Sequence, residues 1–416
     1  MKLTSKLKAS ALIYAVFVSI FTALISGYII TISYYEHLLI ERLAEKRKIE
    51  NILSSGLNIV SKESALQEKD IELFDFPSKV KIGLERWGIY RLAKVSFIHR
   101  EKKFSKAALL GNSFPPSQRF SLYLQDRSKA LGVGGKAYLN GIILLPERGY
   151  TNSYILNSRL NDVQIKGTIN KSTENLPEPN TALITEFRNF LNYSASTEPS
   201  MRRSMSGSDS LRVSFSEKVV VVNSESGNNV VSGIYIGKVV IISTSSLVVS
   251  SSCQLEDVVL IAPYIKIQQG FKGSLQCIAR DSITLENNCD LLYPSALVLF
   301  NMETVEGIRR INIGENDTIR GQIIGFSKGS DLRNHLEINV SESAYVYGEM
   351  YCSGWLDLQG TVIGSVVTSD LYYSRSGIFQ NTMINGKIDI HSLSKNYLSS
   401  NWMKNGQPAI LKNEDF

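Results

Sequence analysis

The sequence predicts a mainly β protein in which a single N-terminal transmembrane helix extends into a long rod and is followed by a right-handed parallel β-helix. Three observations carry this. Residues 9–35 hold no charged side chain, apolar residues keep helical spacing well beyond that run, and short β-branched segments then recur at a fixed interval of 18 residues.

The run between Lys8 and Glu36 exceeds the ~20 apolar residues that cross a bilayer as a helix, so residues 1–8 read as a cytoplasmic leader and 9–35 as the span. A cleaved secretory signal would have a shorter apolar core ending at a small-residue cleavage site, and neither condition is met. Tyr28, Tyr34 and Tyr35 suit an interfacial belt at the far end, with Lys2, Lys6 and Lys8 at the near end. Arg42, Lys46, Arg47 and Lys48 roughly balance those lysines. The short basic leader, together with Glu36 and Glu41 as the first charges beyond the span, favours a cytoplasmic N-terminus. Ala23, Ser26 and Gly27 share one helix face and allow close approach of another helix. Leu39, Leu43, Ile49, Leu53, Leu57 and Val60 continue the helical spacing, and no proline precedes Pro77. Residues 36–66 are therefore an amphipathic extension, and the rod is on the order of 85 Å long.

Partial alternation from Trp87 to Ile98 predicts short strands, so residues 67–106 form a β collar between rod and body. Its charges, Arg91, Lys94, Arg100, Lys102 and Lys103, face solvent or an anionic surface. Residues 107–180 are the first coils. A helical and loop excursion follows at 181–212, with a helix over Thr181–Leu191 and a Ser-, Met- and Arg-rich run after it. The main β-helix covers 213–390, and 391–416 form a tail or cap.

The repeats specify the coils. Leu247–Val249, Ile265–Ile267 and Ile283–Leu285 recur at 18 residues; Val239–Ile241, Val258–Leu260 and Leu275–Cys277 interleave at nearly the same interval. Two phased series of short strands are what successive coils of a parallel β-helix produce. A second pattern, an apolar residue two positions before a glycine and another two after it, appears at Leu139–Ile143, Ile165–Ile169, Ile319–Ile323, Val346–Met350, Val362–Val366 and Ile384–Ile388. Glycine suits positions where neighbouring backbones approach closely.

Lys8–Ile13, the long apolar helix, the charged turn at 41–48 and Asn51–Asn58 together resemble the N-terminal helix of pilin-like minor components of type IV pilus and type II secretion machines. The resemblance implies peptidase processing after Ala9, packing against like helices, and other pilin-like or assembly-machine proteins as partners. Most pilins carry a glutamate at the fifth mature position, where this sequence has Tyr14. The glycine-centred coils are similar to those of bactofilin-like, polymer-forming proteins, which implies self-association. The stretch from Ala107 to Pro179 also resembles a module of bacterial membrane-anchored proteins. Together these place the chain in a bacterial inner membrane with its body periplasmic or surface-exposed.

A net charge of +6 spread over 416 residues gives no reason to expect nucleic acid. Cys253, Cys277, Cys289 and Cys352 lack the close pairing a metal site needs and read as buried free thiols before inter-coil bridges. His37, His99, His335 and His391 are far apart. No cofactor, metal or catalytic residue is expected. A polysaccharide-degrading enzyme would need clustered carboxylates, for which Glu303 with Glu306, Glu315 with Asp317, and Asp331 with Arg333 are the candidates. A glycan-binding adhesin would use exposed Tyr347, Tyr372 and Tyr373. The expected function is non-enzymatic: a membrane-anchored structural or assembly protein of the envelope.

Overall fold

The computed structural model describes residues 5–63, 68–72, 79–115, 119–153, 163–196, 201–206, 210–224, 229–302, 307–327, 335–374, 377–400, 402 and 406–413. Helix α1 runs unbroken over Ser5–Ser61, about 85 Å at 1.5 Å per residue. With no proline inside it, every backbone donor beyond the first turn finds its carbonyl within the segment.

The collar is an antiparallel meander of β1 (Glu68–Ile71), β2 (Val80–Trp87), β3 (Tyr90–His99) and β4 (Lys102–Ser113). A fifth strand, Gln407–Asn413, pairs antiparallel with β4. The expected start of the coils at residue 107 therefore falls inside a collar strand. The C-terminal segment, expected as a tail or cap, returns to this sheet and covers the outer edge of β4 from Ala108 to Ser113.

Alternation along these strands divides the collar's two faces. Val80, Ile82, Leu84, Ala93, Val95, Phe97, Ala108 and Leu110 pack against Ile52, Leu53, Leu57 and Val60 of α1. Trp87, Leu92, Ala107 and Leu109 point the other way, into a layer shared with the body. A Cβ on Gly56 would lie 2.7 Å from Val95 Cγ1, so the helix seats closely on the sheet. Helix α2 (Thr181–Ser196) wedges Leu183, Phe187 and Phe190 into the layer between collar and body. There Phe187 meets Phe300 and Trp402 edge-on, and Arg86 of β2 forms an ion pair with Glu186. Lys238 pairs with Glu85, and Lys412 Nζ reaches Asp257 Oδ2 at 2.6 Å, so buried charges also tie body to collar.

The body is parallel β structure. The 18-residue series pairs as its spacing predicts: Leu247 with Ile265, and Ile265 with Ile283. The interleaved series pairs Ile241 with Leu260 and Leu260 with Cys277. One strand, Gln254–Ile267, pairs successively with Ile234–Gly237, Val239–Ile242 and Ser246–Val249, so it turns corners along its length. Lys272–Leu285, Arg309–Ile313, Leu336–Val340, Tyr345–Leu358, Thr318–Ser327 and Asp290–Asn301 close into a ring of six parallel strands.

The stacking order departs from the order in the chain. A ladder of inward residues runs Val222, Ile241, Leu260, Cys277, Leu297, Ile323, Met350 and Val366. It then passes to Leu122, Ile143 and Ile169. The segment expected to form the first coils thus lies beyond the last ones, with Ile388 stacked on Leu139 by the same rule. Within the expected excursion at 181–212, Arg202–Ser204 and Ser210–Val213 already pair in parallel with later strands, so stacking begins before residue 213.

Glycines of the second pattern stack on each other: Gly321 on Gly348, Gly348 on Gly364, and Gly141 on Gly167. All four cysteines are free and buried.

Candidate membrane and assembly surface

From Ala11 to Leu43, α1 stands clear of the rest of the chain: Leu12, Phe17 and Leu24 are each about two-thirds exposed or more, and Leu39, Ile40 and Leu43 remain open. Its other end is sealed, with Leu57 and Val60 at most 2% exposed. One helix thus carries two surfaces, an apolar one that meets no partner among the described residues and a docked one. The bare segment is long and apolar enough to cross a membrane.

Four hydroxyls within the bare segment are satisfied by their own helix. Ser19 donates to the Val16 carbonyl at 2.8 Å, Thr22 to Val18 at 3.0 Å, Ser26 to Thr22 at 2.8 Å and Thr31 to Gly27 at 2.8 Å. Hydroxyls bonded back to their own helix add little cost in a medium without hydrogen-bonding solvent. Ala23, Ser26 and Gly27 fall on this bare stretch, and nothing lies within 4 Å of where a Gly27 Cβ would be. Ala9 sits in helical backbone near the start of α1, and its side chain lies outside the described residues.

The boundary between bare and docked helix is marked by a contact that the sequence did not signal. His99 Nε2 lies 3.1 Å from Glu45 Oε1, and Arg100 Nη1 lies 2.9 Å from the same oxygen. These residues form the tip of the β3–β4 hairpin, where Arg100 and Glu101 both hold positive φ (47° and 65°). Two successive residues of that kind match the right-handed twist of the flanking strands, a geometry that asparagine and glycine adopt more readily. The positional clue was present only as the basic cluster Arg100, Lys102 and Lys103.

The enzymatic candidates do not converge among the described residues. Glu303, Glu306, Asp331 and Arg333 lie outside them, and Glu315 is exposed at a turn. Asp317 is fully buried and accepts backbone N–H groups of Cys289 (2.8 Å) and Gly314 (2.7 Å), tying two turns together. Burial pushes its carboxyl up to about 6 against those two donors. His335 pairs with Glu337 at 2.8 Å and stacks beside Trp355. No group of three or more potential metal ligands gathers among the described residues.

Of the tyrosines expected on an outer face, Tyr372 and Tyr373 are buried: Tyr372 packs on Trp355 and donates to Asn339 at 2.6 Å. Tyr347 is half-buried and stacks with Tyr345, beside Arg320. Comparisons against protein-family models, curated proteins and solved structures return no significant match to this chain.

Proposed function

We propose that the chain is a non-enzymatic, membrane-anchored structural component of a bacterial envelope: a right-handed parallel β-helix held off the inner membrane by a pilin-like helix. The observation carrying this reading is the division of α1 into a bare apolar half and a half packed on the collar without a break between them. A flexible tether would let the body reorient. A continuous helix seated on a sheet, which is seated on the column, transmits position from bilayer to body.

The corner-turning strands and the long ladders of inward residues support the β-helix reading, in which each coil covers the apolar positions of the next. The bare helix extends past Tyr35 to Leu43, about 12 Å more than the charge-free run. Lateral packing against like helices would use the face bearing Ala23, Ser26 and Gly27 within the span, and Leu39, Ile40 and Leu43 would continue such contact beyond it. In this reading the N-terminus is cytoplasmic and Ala9 is the position after which a peptidase would trim it; the body, which occupies the periplasm, serves as cap, spacer or docking surface for an assembly machine.

Membrane fractionation tests the reading. The intact chain is expected in the membrane pellet and extractable only by detergent, while a chain lacking residues 1–35 is expected to be soluble, folded and monodisperse. A truncated chain that stays with the membrane overturns the division. Affinity purification of the intact protein from native membranes, read by mass spectrometry, is expected to recover pilin-like or secretion-machine proteins.

A further inference from the structure

The tip of the β3–β4 hairpin carries a combination that the collar does not need for its own packing. Ile98 is 63% exposed, its cross-strand neighbour is Lys103, and Lys102 and Lys103 are both exposed beside Arg100. A single open isoleucine is ordinary on a protein surface; this one is set apart by standing among three cations, with Glu101 the one carboxylate of the turn, at the end of a ribbon.

The position of the tip identifies what could cover it. Strand β3 runs along α1 toward the apolar segment: Arg91 near its start donates to the Glu63 carbonyl at 3.3 Å, and His99 at its end meets Glu45. Glu45 stands ten residues past Tyr35, about 15 Å along the helix. The turn residues Arg100 and Glu101 project further in the same direction by roughly 3 Å per residue. The polar layer of a bilayer adds on the order of 5–8 Å outside its hydrocarbon core. The turn therefore ends close to the headgroups, within reach of long basic side chains that extend along their stems. Arg42, exposed and three residues nearer the membrane on the Glu45 face of α1, adds a fourth cation at this level.

We propose that this tip is a second membrane contact, docking through Arg42, Arg100, Lys102 and Lys103 on anionic phospholipid headgroups with Ile98 dipping into the interface. The proposal rests on the anchor reading above. It adds that the body is held by two points, the span and the hairpin, so that its tilt depends on lipid charge. The clamp of His99 and Arg100 on Glu45 fixes the hairpin's height above the bilayer and thereby couples lipid contact to the helix.

The test uses the full chain in lipid nanodiscs. Because all four native cysteines are buried, Ile98→Cys offers one accessible thiol for a polarity-sensitive dye. In phosphatidylglycerol discs the dye is expected to shift to the blue and to be quenched several-fold more by headgroup spin-labelled lipid than in phosphatidylcholine discs. Raising salt, or introducing Lys102→Glu with Lys103→Glu, is expected to abolish the difference. Unchanged thermal unfolding of the double variant shows that the fold is intact. Equal quenching in both lipids, or none in either, overturns the proposal. Co-elution of protein with discs reads the anchor separately: a chain that enters the disc with its dye in water sinks the hairpin contact alone, and one that enters neither disc sinks both readings.

Discussion

Gly348 stacks on Gly321 so closely that a Cβ at position 348 would lie 1.9 Å from the Gly321 carbonyl oxygen, at a backbone φ of +146°. Gly364 repeats the relationship on Gly348 at 1.7 Å. The obstacle is backbone, which cannot swing aside as a side chain would. Gly348→Ala is expected to destabilise the body by about 2 kcal/mol or more, from strain and clash together. Gly27→Ala, in the open part of α1, is the control and should leave the body's unfolding midpoint unchanged. Thermal melts in detergent compare the two.

Asp317 supplies a pH dependence. Its folded carboxyl holds a proton up to about 6, above its ordinary value of 3.8. The folded state therefore binds that proton more tightly than the unfolded chain, and this group's contribution to stability falls as pH rises from about 4 to about 6. The change is on the order of 3 kcal/mol. Urea unfolding at pH 4 and pH 7 should show Asp317→Asn losing ground to the native chain at low pH and recovering it at high pH. A difference between the two proteins that is flat across this range would refute the assignment.

The seat of α1 on the collar is tight at Gly56 and Val95. Gly56→Leu is expected to prise the docked half of the helix from the sheet at a cost of about 1–3 kcal/mol. Val95→Ala should restore part of it by making room. Limited proteolysis between Glu45 and Ser61 measures the effect: cleavage should accelerate in the single variant and slow again in the double.

Removing residues 403–416 takes away the strand that covers β4. The newly exposed edge from Ala108 to Ser113 is a template for another chain. The truncated protein is expected to aggregate in detergent, as read by light scattering. Lys412→Ala, which keeps the strand but breaks its ion pairs with Asp257 and Glu256, should remain monodisperse with a lowered melting temperature.

Local pattern carried the helix and the coil spacing because both are properties of neighbouring residues. The charge-free run specified the bare half of α1, and the 18-residue interval specified the pairing of Leu247, Ile265 and Ile283. The stacking order was hidden by the repetition itself. Leu139–Ile143 and Val362–Val366 have the same pattern, so nothing local says that Val366 will meet Leu122. The collar's fifth strand was hidden for a different reason: Gln407–Asn413 is short, with a proline near its start, and its partner lies about three hundred residues earlier. The Glu45 contact with His99 and Arg100 joins a helix to a hairpin tip, and no periodicity encodes such a meeting.

The segment 122–171 leaves the ribosome early, yet the strands it stacks on, Thr361–Tyr373 and Lys387–Asp389, are made last. Until then its inward leucines and isoleucines have no neighbour on one side, and the collar also waits for its closing strand. A prematurely terminated polypeptide would accordingly yield no shorter working version of this body. It would leave two unfinished edges, a substrate for quality-control proteases.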